Sequence, residues 1–427
     1  MNGTGERLRF FLCTRDTAGV MSGLALGLRK LGHAVTTMAF EREVYTPDLG
    51  YDIVRGRPIQ ARYDYNKRAS RLVRALAWRT DQLLGYLQNG LATPEYLQHD
   101  VFVIFAAPWE PEWLLYPLLK RLGKAVVVYY VGSEARHLDP FSQEFGVDPS
   151  GWGADLFRDP INVKLRAIRA SELYADTIYS LPDVAGMQIR PYHHAHLPLD
   201  VIHEIPGGVP DRRAPVILHA PSRSDIKGTS LVAAAIEQLK REGIALDFRV
   251  LTNVPRQAVL DELKNADIVV DQLFFHGPGV LAAEAMSAGC AVATRIVEPP
   301  SPAFDPPLCP IRPANIVERL RELILDRAKR VLLARKAQSW ARTTFDPERV
   351  AADVVLRLHG AVAPDYVPSF YLDGYAPSQR NAISWSNRRL SLEVVARYRS
   401  ERMFSLDDAV RRRVIAAPIA MQRHAAL

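Results

Sequence analysis

The feature of this sequence that most limits its fold is the repeated alternation of short apolar runs with segments of helical periodicity. Residues 101–105 form a nearly continuous apolar run, which is expected of a strand covered on both faces. Helical spacing follows over 113–122, and a second buried strand is predicted over 125–131. Units of strand, helix and strand in this order build parallel sheets. The sequence therefore predicts an α/β fold.

The first 40 residues contain the first unit of this pattern. A strand is predicted over 8–14, and a polar turn follows over 15–19. The next segment has helical periodicity and ends at Gly32, after which a second strand is predicted over 34–40. The apolar positions of the predicted helix are Met21, Leu24, Ala25, Leu28 and Leu31.

A stretch rich in proline and glycine divides the pattern into two halves. Residues 197–215 contain four prolines and two glycines, so they form the predicted linker between two domains. We predict a first domain over 1–197, a second domain over 198–360 and a partly helical tail over 361–427. This division fits a chain of 427 residues, since a domain takes roughly 150.

The alternation begins again after the linker. Asn315 is predicted to cap a helix, with Glu318 three residues later as in a capping box. In the tail we predict two short helices that begin at Ser391 and Ser405. In the second half, strands are predicted over 216–219, 247–251, 267–270 and 291–294, and helices over 229–241, 257–265 and 279–288.

Cysteine content and charge limit the functional classes. The three cysteines are odd in number and far apart, so a reducing compartment is expected and a disulfide framework is not. The start of the chain lacks the apolar core of a signal peptide, which favours a cytoplasmic location. Residues 364–427 contain ten Arg against six Asp and Glu. This excess suits either a solvated surface or peripheral contact with the inner face of an anionic membrane, and we expect no nucleic acid partner.

Two segments carry residues suited to bind phosphate. Residues 219–229 (HAPSRSDIKGT) and 267–294 each leave a strand, pass through a polar or glycine-rich turn and enter a helix. Ligands of open α/β sheets bind at such carboxyl ends of strands. The N-terminus of a helix offers N–H groups and a partial positive charge, which favour an anion.

The residue types in these turns fit a nucleoside diphosphate. Arg223 and Lys227 can neutralise a pyrophosphate, the first through its fork and the second as a point charge. Gly277 and Gly279 let the backbone approach a ligand closely. Glu284 lies in the following helix, where a carboxylate can accept hydrogen bonds from ribose hydroxyls. Each residue alone also fits a structural role, but their occurrence together in this order favours a binding site.

These segments resemble the donor-binding domain of GT-B glycosyltransferases, specifically the family 4-like retaining enzymes. Their pattern is a Lys-Gly pair, a later glycine and the run Glu-Ala-Met-small-x-Gly, found here as 227–228, Gly279 and 284–289. The Asp-Gln-Leu at 271–273 is similar to a subtype from bacterial surface-polysaccharide clusters. The resemblance covers 216–355 well, and it extends to the first half through 16–19 and 132–136.

The resemblance implies a GT-B architecture, in which two Rossmann-like domains face each other across a cleft. The first domain would bind the acceptor and the second domain the nucleotide-sugar donor. Arg223 and Lys227 would stabilise the leaving nucleoside diphosphate, where negative charge develops during the reaction. Glu284 would hold the ribose. Such enzymes generally need no metal, so the resemblance implies no cofactor.

The remaining contacts implied by the resemblance lie on both domains. Gly19 would lie under the donor phosphates, and the backbone of Val280 and Leu281, after Gly279, would contact phosphate and sugar. Further substrate contacts are expected from Gly132, Glu134 and Arg136.

Two positions depart from the family pattern. His276 stands where the first Glu of Glu-x7-Glu is expected, and it is a candidate to replace that residue. Val131 stands where relatives frequently carry a histidine that faces the donor sugar, and Glu134 replaces an aspartate. These changes bear on the orientation of the sugar and on turnover.

Two other groups have competing interpretations. Trp109 and Trp113 suit either a platform for an acceptor sugar or the domain core, and Glu110 and Glu112 beside them are candidates to assist an acceptor hydroxyl.

Three histidines at 193, 194 and 196 cluster before the linker, but a zinc site needs more ligands at better spacing. No GxGxxG fingerprint or Walker A loop is present, which argues against a dinucleotide dehydrogenase and a P-loop ATPase.

The sequence thus predicts a glycosyltransferase that moves a sugar from a nucleoside diphosphate sugar to a hydroxyl of a glycan or lipid-linked acceptor, with retention. Two alternatives remain open. One is a non-catalytic relative that binds nucleotide-sugars, and the other is a GT-B sugar-nucleotide epimerase.

Overall fold

The structure is a computed structural model that describes residues 7–39, 50–54, 93–105, 112–130, 132, 134–136, 161–199, 211–296, 303–358, 362–366 and 384–400. The first half of the chain forms one parallel sheet. Its strands are β1 (Arg9–Thr14), β2 (Ala34–Ala39), β3 (Ile53–Val54), β4 (Val101–Phe105), β5 (Ala125–Tyr129), β6 (Thr177–Ser180) and β7 (His193–His194). They lie in the order β3-β2-β1-β4-β5-β6-β7.

The second half forms a separate parallel sheet of five strands. These are β8 (Val216–His219), β9 (Asp247–Val250), β10 (Ile268–Val270), β11 (Ala291–Thr294) and β12 (Cys309–Pro310). Their order is β12-β11-β10-β8-β9, so the chain reverses direction across the sheet between β8 and β10. Such a switch point leaves a crevice at the carboxyl ends of the strands, where ligands of open α/β sheets bind.

Helices connect the strands of both sheets. In the first half they are α1 (Val20–Lys30), α2 (Thr93–Gln98), α3 (Glu112–Arg121) and α4 (Ile161–Tyr174). In the second half they are α5 (Ser224–Lys227), α6 (Thr229–Arg241), α7 (Arg256–Leu263), α8 (Val280–Ala288), α9 (Ile316–Leu325), α10 (Arg327–Thr344) and α11 (Pro347–Arg357), and α12 (Trp385–Ser400) lies in the tail.

The apolar strands are buried because helices cover both faces of each sheet. All five residues of β4 are buried. Alternate residues of β1 pack into two different cores, with Phe10 and Leu12 on one face and Phe11 and Cys13 on the other. Side chains alternate across a strand, so a strand with cover on both faces must be apolar throughout. This confirms the prediction of an α/β fold with parallel sheets.

The end of the second half returns to the first sheet. Helix α11 packs against α1, where a Cβ at Gly27 would lie 1.9 Å from the carbonyl oxygen of Pro347. The hydroxyl of Tyr179 in β6 also donates to Asp353 of α11 at 3.2 Å. The glycine in α1 therefore allows a close approach between helices from the two halves.

The tail helix also packs against the first domain, as the side chains of its inner face show. Val394 and Tyr398 are buried against Leu173 and Ile189. The hydroxyl of Tyr398 donates to the carbonyl oxygen of Leu173 at 3.2 Å. Helix α12 begins at Trp385, so the predicted helix start at Ser391 is wrong. The predicted start at Ser405 lies outside the described residues.

The predicted capping box before α9 is also wrong. Asn315 is the N-cap residue, but its side chain makes no capping hydrogen bond to the helix. Its Oδ1 instead accepts a hydrogen bond from the backbone N–H of Arg312 at 2.7 Å, which closes the preceding turn. Short polar side chains often bond to a nearby turn in place of the helix.

Candidate functional site

The end of β8 is fixed by a buried histidine. His219 Nδ1 lies 2.8 Å from the carbonyl oxygen of Val270, and Nε2 lies 2.9 Å from Thr229 Oγ1. Burial lowers the pKa of His219, so the ring is neutral near pH 7. A carbonyl can only accept, so Nδ1 donates to Val270 and Nε2 accepts from the hydroxyl of Thr229. These contacts hold the end of β8 beside β10 and beside the start of α6.

The loop after β8 carries the two predicted phosphate-binding residues. Arg223 precedes α5, is 34% exposed and pairs with Asp225 at 2.6 Å. Lys227 ends α5 and is only 14% exposed. Its Nζ donates to Asp271 Oδ1 at 2.5 Å and to Gln272 Oε1 at 2.8 Å. The residues that follow β10 therefore position the lysine.

The loop after β10 runs from Asp271 to the start of α8. A Cβ at Gly277 would lie 2.8 Å from the hydroxyl oxygen of Thr294, so this position has no room for a side chain. Gly279 is the residue before α8, and Val280 and Leu281 form the first turn. The first N–H groups of a helix have no partner within it, so this turn can donate hydrogen bonds to an anion.

Glu284 lies further along α8 and is buried. Its Oε1 accepts from Arg256 Nε at 2.7 Å, and Arg256 Nη2 lies 2.6 Å from the same oxygen. Arg256 begins α7, in the loop region that follows β9. Sequence reasoning missed Arg256, and the only signal was its place after Pro255 at a predicted helix start. This ion pair connects the start of α7 to α8, the helices that follow β9 and β10.

The first domain presents its predicted residues differently. Gly19 adopts a left-handed conformation (φ 83°) before α1. Asp16 already binds the first turn of α1, since its carboxylate accepts from the N–H groups of Met21 at 2.8 Å and Ser22 at 3.1 Å. Burial raises the pKa of Asp16.

Arg136 connects the two domains. Its Nη2 donates to Asp183 Oδ2 at 2.7 Å, and both side chains are buried. The guanidinium also lies 4.4 Å from the centre of the Phe275 ring, which belongs to the loop after β10. Neither Asp183 nor Phe275 was predicted from the sequence.

Gly132 and Glu134 contact each other in the turn that follows β5. The backbone N–H of Gly132 donates to Glu134 Oε1 at 2.9 Å. A Cβ at Gly132 would lie 3.0 Å from the other carboxylate oxygen, so the glycine accommodates this turn.

A cavity of about 60 Å³ lies between the carboxyl ends of the two sheets. It has room for about two water molecules, whereas sites for drug-sized ligands take about 300–1,000 Å³. Residues that follow β6, β7, β10 and β11 line it, and they include Pro182, Ala195, His276, Pro278, Ile296 and Phe304. The carboxyl ends of the two sheets therefore face each other across the domain boundary, and His276 lies between them.

Two histidines at and just after β7 form part of this boundary. His194 stacks on Phe304 with ring centres 3.9 Å apart, and it lies 4.7 Å from the ring of His196. Burial lowers the pKa of His194 well below its usual value, and it lowers the pKa of His196 to about 4. His193 instead lies near Asp365, 3.7 Å away.

Some predicted residues lie where the structure gives no description. Val131, Trp109 and Glu110 lie outside the described residues, and so do the side chains of Glu112 and Trp113.

The described residues contain neither a candidate metal site nor a membrane-spanning helix. No group of three or more His, Cys, Asp or Glu in the described ranges could hold a metal ion. Of the helices that the structure describes, none is long and apolar enough to cross a membrane.

Comparison with known proteins identifies the architecture. No family model matches the sequence, and no curated protein matches it significantly. Sucrose-phosphate synthase from Thermosynechococcus elongatus is similar in structure, with a TM-score of 0.53, 13% identity, and cover of 84% of this chain and 100% of that one. The catalytic domain of starch synthase IV from Arabidopsis thaliana, bound to ADP and acarbose, has a TM-score of 0.51, 12% identity, and cover of 83% and 99%.

These similarities extend over both halves of the chain, and at this level of identity they concern the fold. The two structures share two Rossmann-like domains in one chain, as found here. The assignment to a narrower family stays a prediction. The chain has the GT-B fold of glycosyltransferases.

Proposed function

We propose that this protein is a family 4-like glycosyltransferase that moves a sugar from a nucleoside diphosphate sugar to a hydroxyl, with retention and without a metal cofactor. The acceptor is a glycan or a lipid-linked glycan intermediate. One observation carries the proposal: Lys227 Nζ donates to Asp271 at 2.5 Å, Gly279 before the first turn of α8 lies beside the same aspartate, and Glu284 follows later in α8. A cation, free helix N–H groups and a carboxylate are the groups that pyrophosphate and ribose require.

The chemistry of sugar transfer explains the two basic residues. When the bond between the sugar and the diphosphate breaks, negative charge develops on the leaving phosphate. Lys227 and Arg223 would stabilise that charge without reorganisation, because the first is already held by Asp271 and Gln272. Starch synthase IV, which shares the fold, was solved with ADP and a sugar analogue. That complex supports a nucleoside diphosphate as a ligand of this fold.

The first experiment is a calorimetric titration of the protein with UDP, GDP, ADP and CDP. We expect one nucleotide to bind, and Lys227→Ala and Glu284→Ala to weaken its affinity about ten- to a hundredfold, since hydrogen bonds to charged groups contribute about 1.5–3 kcal/mol. Arg212→Ala is the matched control. It removes the partner of the buried Asp267 at the opposite end of β10, where Arg212 Nη1 lies 2.8 Å from Asp267 Oδ2. It should lower stability without changing nucleotide affinity.

The outcomes separate the alternatives. A folded protein that binds none of the four nucleotides contradicts the donor site. Binding without nucleotide release when acceptors are added favours a non-catalytic nucleotide-sugar-binding protein. An epimerase would convert the donor sugar without an acceptor, which analysis of the sugar by mass spectrometry and NMR can detect.

We also propose a cytoplasmic location with the tail at the inner face of the membrane. The three cysteines are odd in number, far apart in the sequence and buried, which suits a reducing compartment. The outer face of α12 exposes Trp385 to 70% and Leu392 to 42% beside Arg389. A protein that uses this face should sediment with anionic vesicles but not with neutral ones, and Trp385→Ala should reduce the bound fraction. Equal sedimentation of the variant contradicts this proposal.

A further inference from the structure

Within the described residues, Asp271 has one carboxylate oxygen that accepts a hydrogen bond and one that has no partner. The residue follows β10, and its side chain is fully buried. Oδ1 accepts the hydrogen bond from Lys227 at 2.5 Å. Oδ2 is buried and has no hydrogen-bond partner in the part of the chain that the structure describes. A buried carboxylate oxygen without a donor is costly, so it needs an explanation.

Gly279 lets the backbone before α8 lie close to this oxygen. A Cβ at Gly279 would lie 3.3 Å from Asp271 Oδ2 and 3.9 Å from Gln272 Nε2. The backbone of Gly279 is extended (φ −83°, ψ −175°), which other residues also adopt. Conformation alone therefore does not require a glycine here. The absent side chain instead allows this close approach of the backbone to Oδ2 at the start of α8.

An ionised carboxylate only accepts hydrogen bonds, so its partner must be a donor. A phosphate would be repelled by Asp271, while a hydroxyl can donate to it. In a nucleoside diphosphate sugar, the sugar is attached directly to the diphosphate that Lys227 binds under the proposed function. The lysine and the aspartate are therefore suited to adjacent parts of the same molecule.

We propose that Asp271 Oδ2 accepts a hydrogen bond from a hydroxyl of the donor sugar, so that the Lys227–Asp271 pair recognises the diphosphate and the sugar together. This inference rests on the proposed function, and it assigns Asp271 to the sugar subsite. Asp271 thereby acts as a specificity-determining residue, since a donor without that hydroxyl leaves Oδ2 without a partner.

The test compares the affinities of UDP and UDP-glucose by calorimetry. If ADP, GDP or CDP is the nucleotide that binds, the pair is that nucleotide and its glucose conjugate. In Asp271→Asn, the affinity for the sugar nucleotide relative to the nucleotide should fall about tenfold or more, because a charged acceptor is lost. Gln272→Ala is the control, since it removes the other partner of Lys227. It should weaken both ligands equally and leave their ratio unchanged.

A second variant tests the space beside the oxygen. Gly279→Ala adds a methyl group next to Oδ2 and leaves the Lys227–Asp271 pair in place, so it should also reduce the relative affinity for UDP-glucose. In the wild type, one of the 2-, 3-, 4- and 6-deoxy analogues of UDP-glucose should bind about tenfold more weakly. The same analogue should bind to Asp271→Asn as well as UDP-glucose does.

The failure of this inference is distinct from the failure of the proposed function. If the wild type binds neither ligand, the proposed function is wrong and the inference with it. If the wild type binds both, but the ratio is unchanged in Asp271→Asn or no deoxy analogue loses affinity, only the inference is overturned. If Asp271→Asn does not fold, Gly279→Ala and the deoxy series decide the outcome.

Discussion

Asp267 and Asp271 lie just before and just after β10, and both are almost fully buried. Asp267 is satisfied by its own chain: Oδ2 accepts from Val216 N at 2.9 Å and Arg212 Nη1 at 2.8 Å, and Oδ1 accepts from Arg212 N at 3.3 Å. Asp271 binds Lys227 through Oδ1, while Oδ2 has no partner in the described ranges. The same residue type thus has complete hydrogen bonding at one end of the strand and incomplete hydrogen bonding at the other.

The difference follows the polarity of the sheet. The amino end of β10 closes against the linker side, where backbone N–H groups from 212 and 216 are available. The carboxyl end faces the domain boundary, where a ligand can supply the missing donor. Incomplete hydrogen bonding of a buried group is therefore informative at the carboxyl end, because the fold satisfies the equivalent group at the amino end.

The largest expected effect is a difference in stability between Asp267→Asn and Asp271→Asn. Asp267→Asn should lower the free energy of unfolding by about 2–3 kcal/mol, because it removes an ion pair and leaves a backbone N–H without an acceptor. Asp271→Asn also removes an ion pair, the one with Lys227, but its amide oxygen can still accept from Lys227 and no hydrogen bond to Oδ2 in the described ranges is lost. It should therefore cost about 1 kcal/mol less than Asp267→Asn.

Urea denaturation at pH 7 measures both values. The wild-type protein and Arg212→Ala serve as references, since the arginine variant breaks the Asp267 pair from its other side. Equal losses for the two asparagine variants would contradict the comparison and make Asp271 a structural residue.

The next effect concerns the stability of the protein at low pH, which depends on His196 at the boundary between the two sheets. Burial lowers the pKa of His196 to about 4, whereas an unfolded histidine has a pKa of about 6.5. Between these values the unfolded chain binds a proton that the folded chain does not, so stability falls as the pH falls from 6.5 to 4. The loss from this residue is on the order of 2–3 kcal/mol.

His196→Gln should therefore reduce the slope of stability against pH between 6.5 and 4. Urea midpoints at pH 7 and pH 4.5 measure this slope. The charges that also act on His196 are those of Asp353, Asp365, Arg349 and Arg357. The pKa of Asp365 is lowered to about 2 despite its burial, so this carboxylate stays ionised over this range. An unchanged slope in the variant would show that His196 is not the group that takes up the proton.

The fold was predictable because its signals are local. The runs that became β4, β8 and β11 were predicted with the observed ends, since continuous apolar residues are typical of strands buried on both faces. The helix over 229–241 was also predicted with its observed bounds. The capping box at Asn315 failed because the side chain bonds to the preceding turn, a competition that spacing alone does not resolve.

The site was predictable only in part, for the same reason. Lys227 and Gly279 belong to short motifs, and the structure places them beside Asp271. The partners Arg256 and Phe275 depend on contacts with residues 28 and 139 positions away, Glu284 and Arg136, and neither contact leaves a local pattern. The roles of these residues in binding stay predictions.

The smallest expected effect concerns Arg256 and, like the proposed function, it assumes that Glu284 binds ribose. Arg256 holds Glu284 Oε1 at 2.7 Å and so fixes the carboxylate. Arg256→Ala should weaken nucleotide binding about three- to tenfold, or about 0.7–1.4 kcal/mol, because the freed side chain must be ordered again on binding. Arg256→Lys should restore part of the affinity.

Two controls separate positioning from general damage. Arg249 in β9 pairs with Glu262 of α7, so Arg249→Ala removes another ion pair of α7 without touching Glu284. It should leave nucleotide affinity unchanged. A 2′,3′-dideoxy nucleotide lacks the hydroxyls that Glu284 would hold, so Arg256→Ala should not weaken its binding. If Arg256→Ala weakens the binding of both nucleotides equally, Arg256 acts on the phosphate or on the loop. It then does not act on the ribose by positioning Glu284.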